Sequence, residues 1–122
     1  MTVNEFLAKY SKPMPGCSDL MYIRPRVKCA DGYTVSIQAG YGLYSTPRIF
    51  ADFYTKVELG YPSAVDEDLL EYAESENAPL DTVYAFVPVT LVEKVLERHG
   101  GIIGADMSND GAGIWREGES HD

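Results

Sequence analysis

The chain has 122 residues, 45% of them hydrophobic, with 19 acidic against 10 basic side chains for a formal net charge of −9. That length allows one domain, 1–122, with a single modest core, and the apolar content excludes bulk disorder. A sequence pI near 4.6 argues against general attraction to nucleic acid, so no direct nucleic-acid contact is expected.

The apolar runs are too short to span a bilayer, and "MTVNEFLAKY" carries charge where a signal peptide needs an apolar stretch, so a cytoplasmic location is expected. In that reducing setting Cys17 and Cys29 are expected as thiols and not as a disulfide. The charge is unevenly distributed. Residues 1–56 hold seven Lys and Arg against four acids, and residues 57–122 hold three against fifteen. No basic residue occurs between Lys56 and Lys94.

In chain order, Thr2 and Glu5 have capping-box spacing, and Val3, Phe6, Leu7 and Tyr10 share a helical face, which predicts a helix near 3–11. "KPMPGCSD" then reads as a connector. "MYIRPRVKCADGYTVSIQA" predicts a hairpin of strands 22–29 and 33–39 about an Ala30-Asp31-Gly32 loop. Its register sets Cys29 against Tyr33, Val27 against Val35 and Pro25 against Ile37 on an apolar face. Lys28 then opposes Thr34, Arg26 opposes Ser36 and Arg24 opposes Gln38 on the other face. Pro25 donates no ladder hydrogen bond, so the first strand is expected at an edge or bulged.

"GYGLYSTPRIF" reads as a loop, 53–59 as a strand, "VDEDLLEYAESENA" as a short acidic helix or turn, and 82–87 as a more central strand. Thr90 and Glu93 repeat the capping-box spacing ahead of a helix near 90–99, with Gly100 as its C-cap. Residues 104–122, with several glycines and little periodicity, read as a flexible tail. These elements predict an α+β fold, a small, mainly antiparallel sheet packed by two helices.

Four constellations bear on function. Arg24, Arg26 and Lys28, with Gln38 opposite, would form a basic face suited to an anion such as a nucleotide, or else a solvated or internally paired face. The acidic run Glu58, Asp66, Glu67, Asp68, Glu71, Glu74, Glu76 and Asp81 could imitate a nucleic-acid backbone toward a basic partner, or simply solubilise a helix. Asp106, Ser108, Asp110, Gly111 and Glu117 have calcium-loop spacing. Gly113, however, stands where an aliphatic belongs, and too few residues follow for an exiting helix. His99 fits a helix C-terminus electrostatically, His121 lies near the chain end, and no nucleophile or metal-ligand motif surrounds either.

The blocks "MYIRPRVKCADGYTVSIQA", "VELGYPS", "DTVYAFVPV" and "ERHGGI", across roughly residues 1–103, resemble short uncharacterised proteins encoded by phages and prophages of gut Firmicutes. The resemblance implies an accessory role in a bacterial host cell. Small phage proteins of this kind are often non-enzymatic, and acidic ones sometimes occupy nucleic-acid-binding surfaces of host defence proteins.

The expected function is therefore a non-catalytic binding protein whose acidic surface, Glu67, Asp68, Glu71 and Glu74, engages a basic host protein, as an anti-CRISPR or another nucleic-acid mimic does. One alternative is a binder of a small anion through Arg24, Arg26, Lys28 and Gln38, and another is a small hydrolase or metal-dependent enzyme. No cofactor is implied, and the complementary halves of the chain raise the prospect of homo-oligomers.

Overall fold

The computed structural model describes residues 1–13 and 21–107. Helix α1 spans Val3–Lys9, and the expected box closes it: Thr2 Oγ1 accepts from the Glu5 N–H, and Glu5 Oε1 accepts from the Thr2 N–H at 2.7 Å. Strand β1 (Lys12–Pro13) pairs with β2 (Tyr22–Ile23) in a two-stranded ribbon. The main sheet contains β3 (Arg26–Cys29), β4 (Thr34–Gln38), β5 (Lys56–Gly60), β6 (Val83–Pro88) and β7 (Ile102–Asp106), in spatial order β6-β5-β4-β3-β7. All its pairings are antiparallel. A 3-10 helix, Glu67–Tyr72, precedes β6, and helix α2 spans Val89–Arg98. The fold is the expected small α+β arrangement, and among the described residues no helix is long and apolar enough to cross a membrane.

The hairpin register holds where the strands pair: Val27 faces Val35, Lys28 faces Thr34, and the Cys29 N–H donates to Tyr33 O at 2.8 Å. Gly32 has φ +95°, as the loop requires. The long first strand is nevertheless broken. Pro25 has no N–H to continue the ladder, so residues 22–23 pair with β1 instead. The Gln38 side chain fills the gap, its Oε1 accepting from the Arg24 N–H and its Nε2 donating to Arg24 O.

Three placements differ from the sequence reading. β3 lies inside the sheet and not at an edge, because β7 pairs with its other side from Arg26 onward, just past the proline. β7 takes Gly104, Ala105 and Asp106 from the stretch read as tail. β6, expected to be more central, is an edge strand, its outer side partly covered where the Glu74 N–H donates to Val83 O.

β6 and β7 occupy opposite edges, so the α2 connection must cross the sheet. Five strands span about 19 Å centre to centre, and ten helical residues about 15 Å, so α2 nearly covers that width. Val92, Val95 and Leu96 of α2 join Val3, Phe6 and Leu7 of α1 over Val27, Val35, Ile37, Val57, Leu59 and Val87. Each such side chain stabilises the fold by roughly 1.5–3 kcal/mol when fully buried.

α2 does not use the capping box read at Thr90 and Glu93. The helix begins one residue earlier, behind Pro88, with no side-chain cap, and Glu93 Oε2 accepts from the Val3 N–H at 3.0 Å. The glutamate that looked like a local cap instead satisfies the N-terminus of the other helix. At its C-terminus the cap of α2 comes one residue before the expected Gly100. His99 is the cap, the Gly100 N–H donates to Glu97 O, and the Gly101 N–H donates to Leu96 O. This is the paired hydrogen bonding of a Schellman motif.

Both glycines have positive φ, but only Gly100 also meets a neighbour: a Cβ there would lie 2.7 Å from the Ala30 Cβ. Gly101→Ala should therefore cost about 1 kcal/mol and Gly100→Ala about 2–3 kcal/mol. Urea unfolding of the two variants measures the difference.

Candidate functional site

The hairpin cations do not form one basic face. Arg24 is only 3% exposed. Its Nε donates to Leu7 O at the end of α1, and its Nη1 donates to Ala39 O. The break at Pro25 lets this residue turn inward, out of the alternation that β3 follows. Burial lowers the guanidinium pKa, yet the group stays charged because an arginine begins so far above neutrality.

Arg26 is half-buried, and its Nη2 donates to Thr34 O and Thr34 Oγ1 at 3.1 Å and to Tyr61 O at 2.6 Å. Burial pulls its pKa down, and Asp106, its partner across β7, offsets part of that. Gln38 is occupied by the backbone of Arg24, which leaves Lys28 as the exposed member of the set. Arg26 meets the acidic 58–81 segment only at the Tyr61 carbonyl, and among the described residues no carboxylate of that segment lies within salt-bridge distance of either arginine.

The acidic residues divide in the same way. Glu58 is half-buried and accepts from the Tyr44 N–H at 3.1 Å; burial raises its pKa, and nearby Glu74 adds to the rise. Asp68 meets Arg98 Nη2 at 2.8 Å on the surface, and Asp66 is drawn to His99. Glu67, Glu71, Glu74, Glu76 and Asp81 are exposed, and among the described residues no cation lies within salt-bridge distance of any of them. Exposed Tyr61, Val65 and Leu80 border the same stretch.

His99 is the centre of a cluster that no local motif announced. Its Nδ1 lies 2.7 Å from Asp31 Oδ2 in the β3–β4 turn, and its Nε2 lies 3.3 Å from Asp66 Oδ1 and 3.4 Å from Asp66 Oδ2. The ring stacks on Tyr33 with centroids 3.8 Å apart and planes 5° from parallel. The Tyr33 hydroxyl is buried toward Asp66 without reaching hydrogen-bond geometry, and burial first, then Asp66, pushes its pKa up. Beside it the fully buried Cys29 thiol is pushed up to about 11, mainly by burial, so it remains protonated and is a poor nucleophile.

Asp31, Gly32, Tyr33, Ser63, Ala64 and His99 line a shallow surface pocket of about 260 Å³. Both ring nitrogens face carboxylates, an arrangement that orients the imidazole but supplies no nucleophile. Among the described residues no group of three or more His, Cys, Asp or Glu side chains is placed to hold a metal ion. Cys17, His121 and the calcium-loop positions Ser108, Asp110, Gly111 and Glu117 lie outside the described residues.

β5 begins only at Lys56, and the loop between β4 and β5, read as a loop at 40–50 and as the start of a strand at Phe53, carries Tyr41, Ile49, Phe50 and Phe53 exposed, the last at 64%. It is well ordered by hydrogen bonds. Ser45 Oγ accepts from the Gly40 N–H and donates to Pro47 O, Arg48 Nε donates to Leu43 O, and the Tyr54 hydroxyl bridges Ile49 O and the Ala51 N–H. A bulge in β6 opposite Glu58 turns the Phe86 N–H out of the ladder to Tyr44 O. The sequence signal was there: aromatics interleaved with glycine and proline, without the alternation that would bury them.

Compared with known family models, with curated proteins and with solved structures, the chain matches none.

Two measurements test these placements. Arg24→Met removes the guanidinium donor from the Ala39 carbonyl and leaves the Leu7 carbonyl with Ser11 Oγ, and should cost about 1–3 kcal/mol, whereas Lys28→Ala should stay within about 0.5 kcal/mol. Chemical denaturation of both variants distinguishes a structural arginine from a surface one.

The second concerns acid. The Tyr33 N–H, and after it His99, hold the Asp31 carboxyl below its usual range. A depressed carboxyl contributes stability that is present above its unfolded value, near pH 4 by the ordinary aspartate range of about 3.9, and lost as pH falls through the folded one. Asp31→Asn should flatten that part of the stability profile below about pH 4, as read by thermal melts across the acid range.

Proposed function

We propose that the protein is a non-catalytic binding protein that engages a basic partner protein through the acidic surface of residues 67–81. The observation that supports this reading is the lack of cationic partners for Glu67, Glu71, Glu74, Glu76 and Asp81 among the described residues, although the chain holds ten basic side chains. The two hairpin arginines do not neutralise these carboxylates: Arg24 and Arg26 donate to carbonyl oxygens, Arg26 to that of Tyr61 at the border of the surface. A concentrated field of one sign steers an oppositely charged partner and selects against like-charged ones. Tyr61, Val65 and Leu80 supply apolar contact at its border.

A phage-type accessory role in a bacterial cytoplasm, with a nucleic-acid-handling or defence protein as the partner, is the setting in which such a surface acts as a nucleic-acid mimic. The anion-binding alternative loses support because Arg24, Arg26 and Gln38 already have protein partners.

The test is a pull-down from bacterial host lysate, in which the wild-type chain should retain a basic protein in a salt-sensitive manner. A variant carrying Glu67→Lys, Glu71→Lys and Glu74→Lys should lose it. Undiminished capture by the folded triple variant would refute the acidic-surface reading.

A further inference from the structure

His99 joins three segments far apart in sequence: α2, which it caps, the β3–β4 turn through Asp31, and the start of the 3-10 helix through Asp66. With a carboxylate at each ring nitrogen, both contacts are hydrogen bonds only when both nitrogens carry protons, that is, in the imidazolium. A neutral ring keeps one N–H and turns a lone pair toward the other carboxylate.

The two contacts are unequal. Asp31 is 2.7 Å away and is fixed a second time by the Tyr33 N–H at 2.8 Å, whereas Asp66 lies at 3.3–3.4 Å. Asp66 also occupies the cap position of the 3-10 helix without capping it, since its side chain accepts no helix N–H. Aspartate at that position ordinarily accepts from the helix backbone. Its carboxylate is therefore held at the entrance by the His99 ring and not by the helix backbone.

We propose that His99 is a proton-operated latch: the doubly protonated ring holds the first turn of the 3-10 helix to the β3–β4 turn, and loss of one proton releases Asp66 while Asp31 stays bound. Histidine changes charge between about pH 5 and about pH 8. The other groups facing the ring do not. Tyr33 and Cys29 are held neutral through that window by burial, and carboxylates change charge below it. Arg98, next along α2, stays charged and tied to Asp68, and the Leu69 side chain stays buried, so release is confined to Asp66 at the entrance of the first turn. The latch thus acts on the entrance to the acidic stretch, and it stands independently of what that stretch binds.

The experiment follows the Leu69 amide, whose N–H donates to Asp66 O in that first turn, by NMR hydrogen exchange on the full chain. The amides of the β4–β5 ladder serve as reference. From about pH 5.5 to about pH 8.5 its protection should fall relative to the sheet by about fivefold, the net worth of one hydrogen bond. The fall should share its midpoint with the His99 ring-proton titration. In Asp66→Asn and His99→Gln the sheet amides should remain protected and the dependence at Leu69 should vanish. A flat wild-type profile, a midpoint that differs from the ring titration, or an unchanged profile in folded Asp66→Asn would each overturn the latch. The midpoint comparison needs only the wild-type chain, so it decides the matter even where a variant does not fold.

Discussion

A cation withdrawn from water holds this acidic protein together. The Arg24 guanidinium is hydrogen-bonded to Leu7 O and Ala39 O, so it ties the end of α1 to the end of β4 from the point where β3 begins. An ion so placed needs dense hydrogen bonding to offset its lost hydration. Carbonyl oxygens from two segments provide it, and among the described residues no carboxylate lies within salt-bridge distance. The proline beside it makes the turn inward possible by ending the ladder, and Gln38 satisfies the backbone groups that the interrupted ladder leaves open. Helix, hairpin and ribbon meet at this one residue, and the orientation of α1 over the sheet follows from it.

Because the arginines are engaged in this way, the charge asymmetry of the sequence becomes an asymmetry of the surface. Arg24 and Arg26 are withdrawn onto backbone carbonyls, while Lys9, Lys28, Arg48, Lys56, Lys94 and Arg98 stay exposed, and the carboxylates of Glu67, Glu71, Glu74, Glu76 and Asp81 face solvent. The exceptions, Asp66 and Asp68, are drawn toward α2 by His99 and Arg98. They fix one end of the acidic stretch and leave the remainder facing solvent. The aromatic loop sits by the opposite end of β5, where Thr46 bridges Lys56. The molecule therefore presents two surfaces of different chemistry at the two ends of one hairpin.

Local signals were legible in the sequence and distant ones were not. The Thr2–Glu5 box, the Val27–Val35 register and the glycine closure of α2 each depend on residues a few positions apart or on one turn, so the chain displays them directly. The same box at Thr90–Glu93 misled, because spacing cannot show that a glutamate will reach a residue ninety positions away. β7 was missed because five residues with a central glycine give too little alternation to distinguish a strand from a tail. Arg24 was read outward because strand parity was carried straight through Pro25. The His99 cluster had no local trace at all: Asp31 and Asp66 lie 68 and 33 residues from it.

The bond between Val3 and Glu93, together with the pairing of Asn4 to the Tyr54 backbone, has a consequence for how the chain reaches its native state. A helix of seven residues is too short to persist alone in water. Besides Arg24, the groups that hold α1 in place lie some fifty and ninety residues downstream, so α1 leaves the ribosome well before its docking can be completed. Until α2 has been synthesised, Phe6 and Leu7 have only part of their burial site. Contacts so distant in sequence slow folding, since a long loop must close before they form. The amino terminus of this protein is thus completed by its carboxy-terminal third.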